Sequence, residues 1–402
     1  MQNRMSQPEF IALIAMMFAT IAFSIDSMLP ALPRIGAELS PDDINRAQLI
    51  LTAFVLGMGI GTFFTGPLSD AFGRKRVIYA GSAIYIAASV VAWASASLEL
   101  VLAARVVQGL GAAAPRVVSI AIMRDLFSGR VMARMMSISM MFFTIVPAIA
   151  PLMGMAIIAL VGWRSIFVAF ILFSLIAVIW VGLRLPETLP RDARRPFRAP
   201  LLWSAIQEML RHPTVRLSIM VQTLSLGMLF TMLVMVQPVF DVIYGRAESF
   251  PFWFGAVALF AGSASLLNAA LVVRIGMRRI VTWSLGTQIC LTGLVMLLSQ
   301  TGLSLDGSFA VFVAWQCSLF FTTGTTLGNL NAIAMEPMGH IAGMAASVIG
   351  GISTVLAAVI ASSVGLLFNA TLWPLATGVF TMAVIGFTLM LSMGRIEARQ
   401  FP

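Results

Sequence analysis

Three charged side chains lie inside long apolar runs of the sequence: Asp26, Arg105 and Arg116. An ionisable group near the centre of a bilayer costs about 2.5–3.5 kcal/mol on insertion scales, so such a group is expected to face a cavity or a partner. A carboxyl group whose proton affinity depends on burial and on a neighbouring cation can bind and release a proton when its surroundings change. We therefore predict that Asp26 is a proton carrier and that Arg105 is its partner. The alternative is that Asp26 only caps the outer end of the first run.

Arg105 and Arg116 are separated by eleven residues. At about 100° per residue, this spacing returns to within about 20° of the same helix face, so both arginines are predicted to line one cavity. If Asp26 neutralises Arg105, Arg116 remains an unpaired cation, which disfavours strongly cationic ligands. The alternative is that Arg116 extends to the cytoplasmic interface or pairs with Asp125.

Uncharged residues in the apolar runs complete the predicted cavity. Met28 and Gln108 lie close in sequence to Asp26 and Arg105. The candidates in the second half of the chain are Gln222, Gln237, Asn268, Gln288, Gln316, Asn329 and Asn331. Most polar residues of this kind form ordinary hydrogen bonds between helices, so only one or two are expected to contact a ligand. The 27 Met and 28 Phe are compatible with an adaptable apolar pocket or with a lipid-facing surface.

The composition excludes a soluble globular protein. Of 402 residues, 59% are apolar and 10% are charged, and the mean hydropathy is +0.97, against roughly 45–50% apolar and 25% charged residues in soluble domains. The net charge of +9 resides in short clusters between apolar runs, which argues against nucleic-acid binding. Cys290 and Cys317 show no metal-ligand spacing. No catalytic or phosphate-binding motif is present, so no enzyme activity, metal or cofactor is expected.

Twelve apolar runs are long enough to cross about 30 Å of hydrocarbon as helices. Their approximate bounds are 9–30, 46–68, 77–96, 98–122, 134–160, 164–184, 214–240, 250–273, 280–300, 308–332, 341–367 and 371–394.

The distribution of basic residues predicts the orientation. With the N-terminus in the cytoplasm, 19 Lys and Arg fall on cytoplasmic segments and 4 on external loops, so both termini are predicted to be cytoplasmic. The basic, proline-containing segment 185–213 separates two halves, 1–184 and 214–402, each with six runs. An internal repeat supports this division, because Gly73-Arg74-Lys75-Arg76-Val77 resembles Gly276-Met277-Arg278-Arg279-Ile280, 203 residues later.

The segment Gly66-Pro67-Leu68-Ser69-Asp70-Ala71-Phe72-Gly73-Arg74-Lys75-Arg76 resembles the signature loop of the major facilitator superfamily. The resemblance implies two pseudo-symmetric six-helix bundles with a central cavity between them. It also implies that Gly66, Asp70, Gly73, Arg74 and Arg76 form a conformational gate. In such a gate the acid packs at the start of the eleventh helix, near His340, and Asp125 completes a charge relay.

Other segments resemble motifs of drug:proton antiporters in this superfamily. They are Asp26 to Pro33, Arg105 to Ala113, the span-five residues Pro147, Pro151 and Gly154 of the antiporter motif, and Pro186-Glu187-Thr188-Leu189. The segment Asn331 to Ser347 is similar to the bicyclomycin/chloramphenicol resistance (Bcr/CflA) subfamily. Two positions depart from the subfamily pattern. Met28 stands where the subfamily usually carries a tyrosine, and Pro115-Arg116 is unusual within the fourth run.

The resemblance implies a monomeric, proton-coupled antiporter in the bacterial inner membrane that exports small amphiphilic compounds. The arginines favour neutral or anionic substrates over dicationic ones. A dedicated exporter of one endogenous metabolite or natural product is the alternative within transport. A membrane receptor or enzyme is the remote alternative.

Overall fold

The structure is a computed structural model that describes residues 5–194 and 196–400. Within these ranges all regular secondary structure is helical, and twelve helices contain 20 or more residues. They are α1 (Gln7–Asp26), α3 (Leu49–Phe72), α4 (Arg74–Ala94), α5 (Leu98–Leu126), α6 (Gly129–Val161), α7 (Ser165–Arg184), α9 (Pro213–Pro238), α10 (Phe250–Ile275), α11 (Met277–Leu298), α12 (Leu305–Met335), α13 (Ala342–Gly365) and α14 (Trp373–Gln400). Two shorter helices are α2 (Leu32–Leu39) and α8 (Ala199–Arg211).

The helices have the length and composition of membrane spans. Ten segments of the described chain are long and apolar enough to cross a bilayer, and one of them, Leu305–Gly365, comprises both α12 and α13. Helix α6 contributes the shorter apolar stretch Ile145–Val161. The predicted all-helical membrane fold is therefore confirmed, and the twelve predicted runs are compatible with these helices.

The first predicted run differs most from the structure. It was expected to continue to residue 30, but α1 ends at Asp26 and is followed by a short 3-10 turn, Leu29–Ala31, and by α2. Pro30 and Pro33 explain this break, because a proline ring removes a backbone donor and clashes with the preceding helical turn. Asp26 is consequently the last residue of its helix.

The chain divides into two compact units, Met1–Ala199 and Pro200–Pro402. In the first unit α5 packs against α3 and α4, while α1 packs against α5, α6 and α7. In the second unit α12 packs against α10 and α11, while α9 packs against α12, α13 and α14. The corresponding helices of the two units therefore make the same set of contacts.

The two repeated glycines occupy equivalent places in the units. Gly73 ends α3 with φ 99° and Gly276 ends α10 with φ 88°, and the next helix begins at the following residue in both cases. Positive φ values of this size are rare for residues that carry a Cβ. Glycine therefore permits the sharp reversal between the two helices.

The segment 185–213, predicted as a linker, contains α8. This helix buries Leu202, Ala205 and Met209 and exposes Trp203, a pattern typical of an amphipathic surface helix. Its Glu208 Oε1 lies 2.8 Å from Nε2 of His340, which belongs to the turn before α13. The boundary between the two units lies at the start of α8.

Candidate functional site

Asp26 lies at the end of α1 with only 5% of its surface exposed. Within the described chain, no side chain forms an ion pair or a hydrogen bond with its carboxyl group. The next residue, Ser27, donates from its hydroxyl to the Phe23 carbonyl at 2.6 Å and closes the helix. A buried carboxyl group without a cationic partner has lost hydration without an ion pair in return, and such a group in a membrane helix is a candidate functional residue.

Arg105 is fully buried on α5 and is held by neutral acceptors. Its Nε donates to the Ile50 carbonyl at 3.1 Å, Nη2 to the Ser24 carbonyl at 3.0 Å and Nη1 to Gln108 Oε1 at 2.5 Å. The guanidinium also lies 4.4 Å from the centre of the Phe54 ring. These contacts join α1, α3 and α5 around one positive charge.

A chain of uncharged hydrogen bonds extends this site to α4. Gln108 Nε2 donates to the Ser89 hydroxyl at 2.6 Å, and that hydroxyl donates to the Tyr85 carbonyl at 2.7 Å. The Tyr85 hydroxyl lies 2.6 Å from the hydroxyl of Ser24, the residue whose carbonyl accepts from Arg105. We call Ser24, Tyr85, Ser89, Arg105 and Gln108 the Arg105 network.

The expected pairing of Asp26 with Arg105 is wrong for this structure. Among the described residues no ion pair joins them, because Ser24 lies two residues before Asp26 and presents its carbonyl to the guanidinium. Both amide atoms of Gln108 are hydrogen-bonded in the same network, and Met28 is 0% exposed. Contrary to the prediction, neither residue lines an open cavity. What the sequence identified as a coupled ion pair is an isolated carboxyl group beside a closed cationic network.

Arg116 differs from Arg105 in its surroundings. Its side chain is exposed at the surface of the first unit, and Nη1 lies 4.0 Å from the sulfur of Met58 on α3. Asp125 pairs with Arg74 instead, so the suggested pair between Arg116 and Asp125 is absent among the described residues. The expectation that Arg105 and Arg116 line one cavity is also wrong, since Arg105 is fully enclosed.

Gly154 explains how α6 reaches Asp26. A Cβ at this position would lie 2.1 Å from the backbone oxygen of Ser27. Only glycine permits this approach of α6 to the residue that follows Asp26. Pro147 and Pro151 lie within the same helix, about two turns and one turn earlier respectively. Gly154 of the predicted antiporter motif thus packs beside the end of α1.

The predicted gate residues form a cluster around Arg74. Its Nε and Nη2 donate to the two carboxylate oxygens of Asp125 at 2.8 and 3.2 Å, and Nη1 donates to Asp70 Oδ1 at 2.5 Å and to the Ser69 hydroxyl at 2.7 Å. The Ser69 hydroxyl donates in turn to the Gly66 carbonyl. Arg76 is exposed and takes no part in this cluster within the described chain.

Glu187 is a member of the cluster to which the sequence assigned no role. Its carboxylate accepts from the backbone N–H groups of Arg74 and Lys75 at 2.9 and 3.2 Å and from that of Leu189 at 3.2 Å. It therefore caps the first turn of α4, where anions are favoured. The only available signal was the motif Pro186-Glu187-Thr188-Leu189. Thr188 also donates to Asp125, at 3.0 Å.

The polar candidates of the second unit behave differently from one another. Gln222 is buried, and its Oε1 has no partner in the described chain. Gln237 is buried and Asn331 is partly exposed. Gln316, another of the candidates, is fully buried with both amide atoms unpartnered among the described residues. In the part of the chain that the structure describes, no three His, Cys, Asp or Glu side chains are grouped as a metal site.

Residues 12–362 match the model of the Major Facilitator Superfamily. The chain belongs to this superfamily. A bicyclomycin resistance protein homolog from Haemophilus influenzae is 30% identical over 93% of this chain and 92% of that protein. A chloramphenicol resistance protein from Pseudomonas aeruginosa is 26% identical over 90% of this chain and 85% of that protein. The predicted family is thereby confirmed, and these relatives agree with the predicted subfamily.

Solved structures of transporters share the fold. A D-xylose-proton symporter superposes with a TM-score of 0.72 over 96% of this chain and 97% of that chain, at 13% sequence identity. Membership of the Major Facilitator Superfamily, together with relatives named for drug resistance, makes this chain a membrane transporter rather than an enzyme, as predicted. The chain therefore belongs to the superfamily whose signature loop Asp70 and Arg74 were predicted to form. In the structure both residues join a cluster with Asp125.

Proposed function

We propose that this transporter is a proton-coupled antiporter that exports small amphiphilic compounds from the cytoplasm or the inner leaflet. The observation that carries the proposal is the buried Asp26 carboxyl group in a chain whose relatives are named for resistance to bicyclomycin and chloramphenicol. In this proposal both termini are cytoplasmic, the protein works as a monomer in the bacterial inner membrane, and protons are the coupling ions.

Asp26 is suited to carry the proton because its environment depends on the packing of other helices. Helix α6 contacts the backbone at Ser27 through Gly154, so a small movement of α6 would expose or enclose the neighbouring carboxyl group. Exposure to water favours the charged form and enclosure favours the neutral form. Alternation between the two states couples proton release to substrate binding.

The test is transport into inverted membrane vesicles energised by a pH gradient. We expect the wild-type protein to accumulate several unrelated compounds and Asp26→Asn to abolish this accumulation, because an amide cannot exchange a proton. Asp43→Asn is the matched control, since Asp43 is an exposed N-cap outside the long helices. Accumulation that is unchanged by Asp26→Asn would remove Asp26 from the mechanism. Accumulation of a single metabolite and of no drug would favour the dedicated exporter.

The charge of the substrate is a separate part of the proposal. Arg116 is exposed, and no ion pair engages it among the described residues, so it is available to attract an anionic or a neutral polar ligand. We expect Arg116→Glu to reduce transport of anionic compounds at least tenfold and to preserve transport of neutral ones, which corresponds to about 1.4 kcal/mol of lost interaction. Arg116→Gln is expected to give an intermediate effect. Unchanged transport of an anionic compound by Arg116→Glu would refute this preference.

A further inference from the structure

The second unit contains a partly open groove of about 550 Å³ between α10, α11 and α12. This volume is within the roughly 300–1,000 Å³ that is usual for ligand sites. Its walls are mainly apolar and include Leu267 and Leu271 of α10, Trp283 and Leu291 of α11 and Phe321 of α12. Trp283 is 60% exposed. In a membrane, hydrocarbon chains therefore have access to this groove.

Polar side chains also line the groove, and several of them are hydrogen-bonded within the second unit. The Ser284 and Thr325 hydroxyls lie 2.9 Å apart, and the hydroxyl of Thr322 donates to Gln288 Oε1 at 3.1 Å. Asn268 differs from these residues. Its Oδ1 accepts from Asn329 at 2.7 Å, but its own amide N–H groups donate to no acceptor within the described chain.

An amide donor at membrane depth cannot be satisfied by hydrocarbon, and an unsatisfied donor is costly there. Asn268 lines the groove, so a ligand oxygen inside the groove would meet these donors. The required ligand combines an apolar chain, which fits the walls, with a polar oxygen next to it. The ester region of a glycerolipid has this combination.

Two arginines mark the end of the groove at which α10 meets α11. Arg274 and Arg279 each precede a groove-lining residue, Ile275 and Ile280 respectively. Both arginines are exposed, and neither forms an ion pair with another described residue. Basic residues at the membrane surface attract anionic lipid headgroups. The charge at this end of the groove therefore complements a phosphate.

We propose that this groove binds an anionic glycerophospholipid, with an acyl chain along α10 and α11, the ester oxygens near Asn268 and the headgroup at Arg274 and Arg279. The predicted topology places these arginines on the cytoplasmic side, so the lipid belongs to the cytoplasmic leaflet. The site is formed within the second unit alone and is separate from Asp26 and the Arg105 network. It does not depend on the proposed export activity.

The two cysteines of the chain provide a matched pair of reporters. Cys317 lines the groove, whereas Cys290 is exposed on α11 and is not among the groove-lining residues. Cys290→Ser leaves only Cys317 and Cys317→Ser leaves only Cys290. The full-length variants are placed in nanodiscs of phosphatidylcholine or of phosphatidylcholine with phosphatidylglycerol. The rate of alkylation by N-ethylmaleimide is then followed by intact mass.

We expect phosphatidylglycerol to slow the alkylation of Cys317 severalfold and to leave that of Cys290 unchanged. The double variant Arg274→Gln/Arg279→Gln is expected to remove this protection. Arg216→Gln is the control, because Arg216 is an exposed arginine on α9, which does not line the groove. Native mass spectrometry is expected to detect one retained phosphatidylglycerol per chain in the wild type and none in the double variant.

Several outcomes would overturn the proposal. Equal protection by pure phosphatidylcholine would mean that the groove holds any lipid without selecting a charge. Protection that persists in the double variant would exclude a headgroup site at Arg274 and Arg279. Protection of Cys317 by an exported compound but not by phosphatidylglycerol would make the groove a substrate site.

Discussion

Arg105 is a positive charge that neutral groups hold in the interior of the first unit. Three hydrogen bonds and the face of the Phe54 ring replace its water of hydration. Charge-assisted hydrogen bonds are stronger than neutral ones, and a cation over an aromatic face gains further when it is desolvated. The network therefore tolerates a buried cation and at the same time fixes α1, α3 and α5 to each other.

This arrangement predicts that Arg105→Ala destabilises the protein strongly. The change leaves the Ser24 carbonyl, the Ile50 carbonyl and Gln108 Oε1 without their donors, and buried groups without partners cost about 1–3 kcal/mol each. We expect a loss of at least about 2 kcal/mol, measured by reversible unfolding in mixed micelles. The control is Arg46→Ala, which breaks the exposed pair with Glu99 and is expected to cost less than about 1 kcal/mol. Similar losses for both variants would show that the buried network is not a major source of stability.

The sequence identified the charged residues of the site but not their partners. Asp26, Arg105 and Arg116 are conspicuous because charges are rare in apolar runs. Ser24, Tyr85 and Ser89 are not, since hydroxyl side chains are common in membrane helices and donate to the preceding turn without further consequence. Two of the three acceptors of Arg105 are moreover backbone carbonyls, those of Ser24 and Ile50. No residue type indicates which carbonyl is accessible.

At the level of elements, the loop between α3 and α4 is fixed from two sides. The Arg74 side chain is bound to Asp70 and Asp125, while its backbone N–H is bound to Glu187. Glu187 belongs to the segment that follows α7, so the end of α7 and the start of α4 are joined through one carboxylate. A movement of α7 or of the following segment would therefore be transmitted to the cluster around Arg74.

Glu187→Ala is expected to loosen the first turn of α4. Loss of a capping acceptor costs about 1 kcal/mol, which corresponds to about fivefold faster exchange of the Arg74 and Lys75 amide hydrogens if they exchange by local opening. Hydrogen exchange followed by mass spectrometry of the peptide that contains both residues measures this effect. Glu208→Ala is the matched control, because Glu208 contacts His340 and not α4. Equal exchange in the wild type and Glu187→Ala would exclude the capping role.

The bounds of a helix could be predicted where the length of the apolar run determines them. They could not be predicted where a local break ends the helix inside an apolar run. The predicted run 98–122 corresponds to Leu98–Leu126, and 164–184 corresponds to Ser165–Arg184. The first run failed at Asp26, because apolar residues continue through the 3-10 turn and α2 and hide the break in the helix. Helix α8 was missed for a different reason, since arginines and prolines dominate the composition of its segment.

At the scale of the whole molecule, the two units repeat one pattern of helix contacts. The repeat was detectable in the sequence only at Gly73 and Gly276, because most positions need only to be apolar and small enough to pack, which many residues satisfy. A glycine with positive φ between two helices is more restrictive, and this requirement preserves a recognisable signal. The contact pattern thus supports the internal symmetry more strongly than the five-residue match does.

The orientation of the whole chain gives the last prediction. The basic segment between α7 and α9 is expected in the cytoplasm and the turn between α9 and α10 on the other side, because arginine-rich loops resist translocation. In a variant that lacks Cys290 and Cys317, Asp192→Cys is expected to react with a membrane-impermeant maleimide only in inverted vesicles. Glu248→Cys is expected to react in intact spheroplasts. Both positions are exposed in the structure, so each variant is the control for reagent access in the other. Labelling of Asp192→Cys in intact spheroplasts would reverse the topology and would place Arg274 and Arg279 at the opposite leaflet.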